Sequence, residues 1–169
     1  MHAPEIRLIV PDTPALTEAT RAIFSEYAAS LAVDLSFQGF DQELRDLPGD
    51  YAEPSGCLLL ALVDGVVAGC GAYRRITDVD YPNACEMKRL YVRQAFRRFG
   101  LGRHVAQALI DDARRARYSS MLLDTLDDME AARELYASLG FMEVPPFYFN
   151  PLPGAHYLRV DLDGTHSRY

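Results

Sequence analysis

The chain has no apolar run long enough to cross a membrane. The longest, CLLLALV at positions 57–63, falls far short of the roughly 20 residues a spanning helix needs. The first residues, MHAPEIRLIV, lack a basic flank followed by a long apolar stretch, so no signal peptide and a cytoplasmic location are expected. Cysteine is scarce. Cys57, Cys70 and Cys85 are odd in number and sit in strand-like runs, which reads as a reduced protein without a disulfide framework. The four histidines (His2, His104, His156, His166) are scattered without ligand spacing, so no metal is expected. Positive charge is in deficit, with 17 Lys+Arg against 24 Asp+Glu and a formal net charge of −7. Such a chain suits neither nucleic acid nor an anionic membrane as a general partner. There is no internal repeat, low-complexity tract or linker. What remains is an ordinary globular composition over 169 residues, 49% hydrophobic and 24% charged. That predicts one domain over residues 1–169, with its core at 5–162 and a frayed tail at 163–169.

Periodicity and turn chemistry give an element order. Residues 5–10 read as a strand closed by Pro11. Thr13 caps a helix with Pro14 at its first position, and Leu16, Ala19, Ile23, Tyr27 and Leu31 recur on one face. A short helix is expected at residues 42–46 and a polar loop at 49–56. Residues 57–63 and 66–75 flank Asp64-Gly65, the turn pair that a hairpin with two positive φ values favours. A strand follows at 85–92, a helix at 101–117, a strand at 121–125 and a helix at 128–139. Asp127 caps that last helix, and Gly140 stops it. Strands at 141–144 and 157–162 surround a loop rich in proline and aromatics. The predicted class is α+β, three layers αβα, with a mixed sheet and helices on both faces.

The mean charge hides an asymmetry. Residues 88–103 carry six bases (Lys88, Arg89, Arg93, Arg97, Arg98, Arg103) and no acid. The same segment contains Arg97-Arg98-Phe99-Gly100-Leu101-Gly102-Arg103, placed after a strand and before a helix. Glycines there let backbone N–H groups face a ligand, and the helix dipole favours an anion. The arginines add forked donors that fit phosphate. A solvated strand-to-helix turn explains the same residues about equally well. The segment is neither a Walker loop, since no Gly-Lys-Ser/Thr follows, nor a Rossmann fingerprint, since the third glycine is missing.

Strand residues EMKRLYV at 86–92, then Arg-x-x-Gly-x-Gly at 97–102, then a helix, resemble motif A of the GNAT superfamily of acyl-CoA-dependent N-acetyltransferases. Ala132-x-x-Leu135-Tyr136-x-x-x-Gly140-Phe141 resembles that family's second motif. The resemblance covers roughly residues 5–162. It implies a mostly antiparallel sheet with a splayed strand pair, and acetyl-CoA as cosubstrate without a metal. It places the pyrophosphate on the turn formed by Arg97, Arg98, Phe99, Gly100, Leu101, Gly102 and Arg103. The pantetheine arm then runs beside Leu90, Tyr91 and Val92, with Met129 and Arg133 on the second motif's helix. Many relatives carry Asn where this chain has Met129, so a side-chain amide contact is lost or replaced.

Transfer of an acetyl group needs a neutral amine and a reprotonated leaving thiolate. Glu86 is the candidate base; a strand-edge glutamate paired with Lys88 or Arg89 is the plain alternative. Tyr136 is the candidate acid, the matching Tyr having that role in many members; a packing aromatic is its alternative. The acceptor is expected to be a small primary amine held by Tyr27, Phe37, Tyr73, Arg74, Tyr148 and Asn150, with Phe40, Asp41, Pro146, Phe147 and Pro151 nearby. Arg74 or Arg75 can receive an acceptor carboxylate, the strand phase being open. A protein amine as acceptor, or a CoA-binding module without catalysis, are the competing readings. Homodimers are common in the family.

Overall fold

The computed structural model describes residues 3–31, 35, 39–126, 129–150 and 152–163. Its elements run β1 (Ile6–Ile9), α1 (Pro14–Ser30), α2 (Phe40–Asp46), β2 (Cys57–Val63), β3 (Val66–Ile76), β4 (Ala84–Val92), α3 (Leu101–Arg115), β5 (Ser120–Leu126), α4 (Glu130–Ser138), β6 (Met142–Val144) and β7 (Ala155–Asp161). The order matches expectation; the boundaries move by a few residues. Two 3-10 turns were not anticipated, at Gly49–Tyr51 and Gln94–Phe99. Both fill stretches too short and too polar to show a period.

Local chemistry accounts for the ends of the elements. The Thr13 hydroxyl accepts the Leu16 N–H at 3.1 Å, with Pro14 in the first turn of α1. Asp64 and Gly65 have φ of 50° and 83°, the pair of positive values that the tightest hairpin turn requires. Gly140, at φ 97°, ends the second motif's helix as predicted. The proposed cap Asp127 lies outside the described residues.

The seven strands form one sheet in the order β1-β2-β3-β4-β5-β7-β6. All neighbouring pairs are antiparallel except β4 and β5. Strand alternation sends side chains to two separate cores. On one face Tyr73, Met87, Met121 and Leu123 pack against Leu101, Val105 and Leu109 of α3 and Tyr136 of α4. On the other, Leu58, Leu60, Cys70 and Ala72 pack against Ile23 and Phe24 of α1 and Phe40 of α2. No helix among the described residues is long and apolar enough to cross a membrane.

Two departures in β4 shape the middle of the sheet. Between β3 and β4, Cys70 pairs with Tyr91 but Ala72 pairs with Lys88, so β4 carries one extra residue. Arg89 takes up that residue at φ 63°, a left-handed conformation that is uncommon outside glycine and marks a bulge. On the other side, β4 pairs with β5 only from Ala84–Ser120 to Glu86–Leu122. Beyond Glu86 the two parallel strands part, which is the splayed pair that the family resemblance implied.

Close approach of α3 to the sheet depends on Gly71. A Cβ there would sit 2.7 Å from Val105 Cγ1 and 3.1 Å from Leu109 Cδ1, and both residues are fully buried. Gly71→Ala is expected to destabilise the fold by about 1–3 kcal/mol, the usual cost of overpacking. Urea denaturation of the variant against wild type measures it; an unchanged midpoint would contradict this packing.

Candidate functional site

The parted strands open a cleft of about 550 Å³ lined by Leu90, Tyr91 and Val92 of β4, Arg97, Gly102 of α3, and Met129, Ala132 and Leu135 at α4, with Tyr27 of α1 opposite. At its floor α3 begins at Gly100, φ 68°, with no side-chain cap. The first amides of a helix have no partner within it, so this end presents N–H groups and a positive dipole to the cleft. Gly102 bounds the space closely, since a Cβ there would stand 3.4 Å from Leu135 Cδ2.

The basic residues are distributed unevenly. Arg97 lines the cleft, and its Nε donates to the Val92 carbonyl at 3.0 Å. Arg98 donates to the Ala95 carbonyl and lies over the Phe99 ring, 4.6 Å from its centroid. Arg103 crosses to α4 and donates to the Ser138 hydroxyl. Leu101 is buried against the sheet, so only its backbone faces the turn. Arg133 is half-buried on α4. The thioether of Met129 accepts from the Thr125 hydroxyl at 3.8 Å. This position therefore offers the cleft apolar surface where an amide was the family pattern.

Inward, the cleft narrows to a junction lined by Tyr27, Lys88, Leu90, Asp124, Met129, Tyr136 and Asn150. Beyond it lies a second cavity of about 400 Å³, lined by Arg74, Ile76, Val79, Glu86, Lys88, Phe147, Tyr148 and Phe149. Lys88 borders both spaces. The slot and the second cavity thus meet around one short row of side chains.

That row alternates in charge. Arg74 and Glu86 are direct partners across β3 and β4. Arg74 Nη2 stands 3.2 Å from Glu86 Oε1, and Lys88 Nζ stands 3.8 Å from Glu86 Oε2. Glu86 is 1% and Lys88 8% exposed. Burial pulls the Lys88 ammonium below the ordinary lysine value, and Arg89 and Arg74 push the same way against the opposing pull of Glu86 and Asp124. Lys88 is also the sole lysine of the chain; every other side-chain cation of this class is arginine.

On the far wall, Asp124 of β5 accepts hydrogen bonds from the Tyr148 hydroxyl and from Asn150 Nδ2, the latter at 2.9 Å. Asp124 was not singled out from sequence; an acidic residue after an apolar run gave no motif to find it by. The Tyr157 hydroxyl donates to the Tyr148 carbonyl at 2.9 Å, and Phe147 and Tyr148 each pack edge to face with Tyr157. The aromatic loop between β6 and β7 is thereby fixed over the junction. Tyr136 points up from α4 against Phe141, their ring centroids 5.6 Å apart. Its phenol is raised above the ordinary value by burial, with smaller contributions from Tyr27 and Asp124. Tyr27 is pushed up to about 12, chiefly by burial. Both phenols therefore stay protonated at neutral pH.

Strand phase resolves the remaining expectations. Tyr73 does not face the second cavity: it is buried on the α3 side, where its hydroxyl donates to Asp112 at 2.6 Å. Arg74, one residue on, points to the cavity, and Arg75 turns back over the Tyr118 ring. Phe40 lies buried beneath the Arg89 guanidinium, and Asp41 is exposed. Phe37 and Pro151 lie outside the described residues. No cluster of three metal-ligating side chains occurs among the described residues.

The chain is similar to known proteins in sequence and in fold. The acetyltransferase (GNAT) family profile matches residues 17–141. An uncharacterised N-acetyltransferase of Schizosaccharomyces pombe is 38% identical over 143 residues, covering 84% of this chain and 86% of that protein. An N-acetylaspartate synthetase of Danio rerio is 32% identical over 66% of this chain, a match that spans 39% of the synthetase. Among solved structures, an acetyltransferase from Salmonella typhimurium with its cofactor acetyl-CoA is similar at a TM-score of 0.69 and 24% identity, with 98% of each chain covered. The chain belongs to the GNAT family of acetyltransferases and is an acyltransferase.

Because the chain holds a single lysine, protein labelled with ¹⁵N-lysine gives one side-chain amine signal. Its NMR titration midpoint is expected below the ordinary value of about 10.4. A midpoint at or above that value would contradict the burial of this ammonium.

Proposed function

We propose that the protein is an N-acetyltransferase that moves an acetyl group from acetyl-CoA to a primary amine of a small molecule, by direct attack within a ternary complex. The observation that carries this reading is the continuity of the slot, the junction and the second cavity across the opening between β4 and β5. Acetyl-CoA fits the residues present. The uncapped start of α3 and Arg97 suit the pyrophosphate, with Arg98 and Arg103 nearby. The β4 backbone at Leu90, Tyr91 and Val92 lies past the last pair with β5 and suits an amide-bearing arm. Met129 supplies apolar contact in place of an amide, and Arg133 flanks the same helix. That both cores share one sheet supports reading the chain as one transferase domain.

Glu86 takes the proton that the acceptor ammonium must lose before attack. The amine nitrogen forms its bond to the acetyl carbon, and the bond from that carbon to sulfur breaks. Tyr136, held protonated by burial, gives its proton to the departing sulfur, and the second proton that the nitrogen sheds on becoming an amide restores the Tyr136 phenol. The proton on Glu86 leaves through the open second cavity. Tyr27, Tyr148 and Asn150 border the acceptor's path, the last two positioned by Asp124. A small acceptor is favoured over a protein because the aromatic loop roofs the junction. The similarity to a protein named for N-acetylaspartate points the same way.

Thiol release from acetyl-CoA over a panel of primary amines tests the proposal. Glu86→Gln is expected to lower kcat/KM by about 10²–10⁴-fold. Tyr136→Phe is expected to lower kcat with little change in the KM for acetyl-CoA. Tight CoA binding without turnover on any amine, indifferent to both substitutions, would instead indicate a CoA-binding module.

A further inference from the structure

We propose that the acceptor is a free α-amino acid, bound as its zwitterion with its ammonium on Glu86 and its carboxylate on Arg74. The proposal rests on the acetyltransferase reading of the same site and names its substrate class.

Two arginine–glutamate pairs of this chain stand side by side and differ in kind. Arg89 grips Glu43 with Nε and Nη2 on separate oxygens, at 2.8 and 2.9 Å, and its side chain is 3% exposed. That is a saturated fork. Arg74 instead converges Nε and Nη2 on one Glu86 oxygen, at 3.4 and 3.2 Å. Its Nη1 is 3.7 Å from Asp50, and its side chain is 37% exposed. The Arg74 guanidinium thus holds its carboxylate loosely while facing an open cavity, with donor capacity left for a second anion.

The geometry of that loose pair suits one ligand class. In an α-amino acid the ammonium and carboxylate are separated by a single carbon. Adjacent opposite charges on the protein, 3.2 Å apart, match them in antiparallel order and close a ring of four alternating charges. A ligand of zero net charge then enters without leaving any of these groups unpaired, which a buried carboxylate such as Glu86 would not tolerate.

Direction follows from the row. Lys88 lies beyond Glu86 and borders the junction that leads to the slot, while Arg74 lies at the outer end, where it also borders a groove formed by Glu43, Asp46 and Asp50. The amine therefore points inward to the thioester and the carboxylate outward. Ile76, Val79, Phe147 and Phe149 offer apolar wall for the side chain. A peptide N-terminus or a lysine side chain carries no carboxylate beside its amine, and either would leave Arg74 without a ligand partner.

Initial rates of thiol release from acetyl-CoA test this with the twenty standard amino acids, the amide of each, and the matching decarboxylated amines. At least one amino acid is expected to exceed its amide and its amine by about 10²-fold in kcat/KM, since a site built to pair a charged group discriminates strongly against its absence. In Arg74→Gln that ratio is expected to fall below about tenfold, through a rise in KM for the amino acid. The wild-type comparison stands alone if the variant fails to fold. Turnover of amides or plain amines as good as that of the acids overturns the zwitterion and leaves the acetyltransferase reading intact. Turnover of no compound, with no binding of acetyl-CoA, overturns both. Turnover of plain amines but of no amino acid overturns the zwitterion alone, and acetyl-CoA bound with no compound turned over overturns both.

Discussion

One extra residue in β4 organises the site. Arg89 adopts a positive φ that costs a non-glycine residue of order 1–3 kcal/mol. Its guanidinium is held by both oxygens of Glu43 and by the Phe40 ring 5.1 Å away. The buried fork on α2 is thus in a position to offset the strain in the strand. Before the bulge, β4 is a regular central strand that pairs on both sides. The strand leaves its parallel partner after Glu86, ahead of the bulge, and keeps its antiparallel partner through it. The bulge also puts Lys88 and Arg89 toward the α1/α2 side together, because an inserted residue interrupts alternation. The cleft, the charged row and the anchoring of α2 to the sheet all meet at this residue.

The two cores divide the work. Side chains facing α3 form a rigid apolar layer in which Gly71 lets the helix approach the sheet. The opposite face begins as apolar packing under α1 and α2 and turns polar at its edge, where Arg74, Glu86 and Lys88 stand in one row. Charges that close together are tolerable away from water only because each is flanked by its opposite. Asp124 ties the aromatic loop to β5 through Tyr148 and Asn150, so the roof of the junction is anchored to the sheet as well as by its ring packing.

Most of the fold was legible because its signals are local. Thr13-Pro14, Asp64-Gly65 and Gly140 each impose a backbone geometry on their neighbours, and the amphipathic periods of α1 and α3 name their buried faces. The glycine turn and the Arg-x-x-Gly-x-Gly spacing led to the family because they are contiguous in sequence. The second cavity was harder to read. Tyr73 and Arg74 are adjacent, and only the pairing of β3 with β4 decides which faces the cavity. Asp124 and Lys88 belong to the site through contacts between separate strands, which no short motif encodes. The bulge at Arg89 was also silent, since nothing in the residue type announces a left-handed conformation.

The lone lysine has a consequence for the chain's own chemistry. Thioesters acylate neutral amines, and a guanidinium stays protonated at any physiological pH and is a poor nucleophile. A protein that concentrates an activated acyl group beside itself, while carrying its exposed side-chain cations as arginine, offers that reagent little to damage. Its one ε-amine sits beside Glu86, 8% exposed, where the geometry of the row governs its encounters. Arginine usage in this sequence thus leaves a single side-chain amine open to acylation.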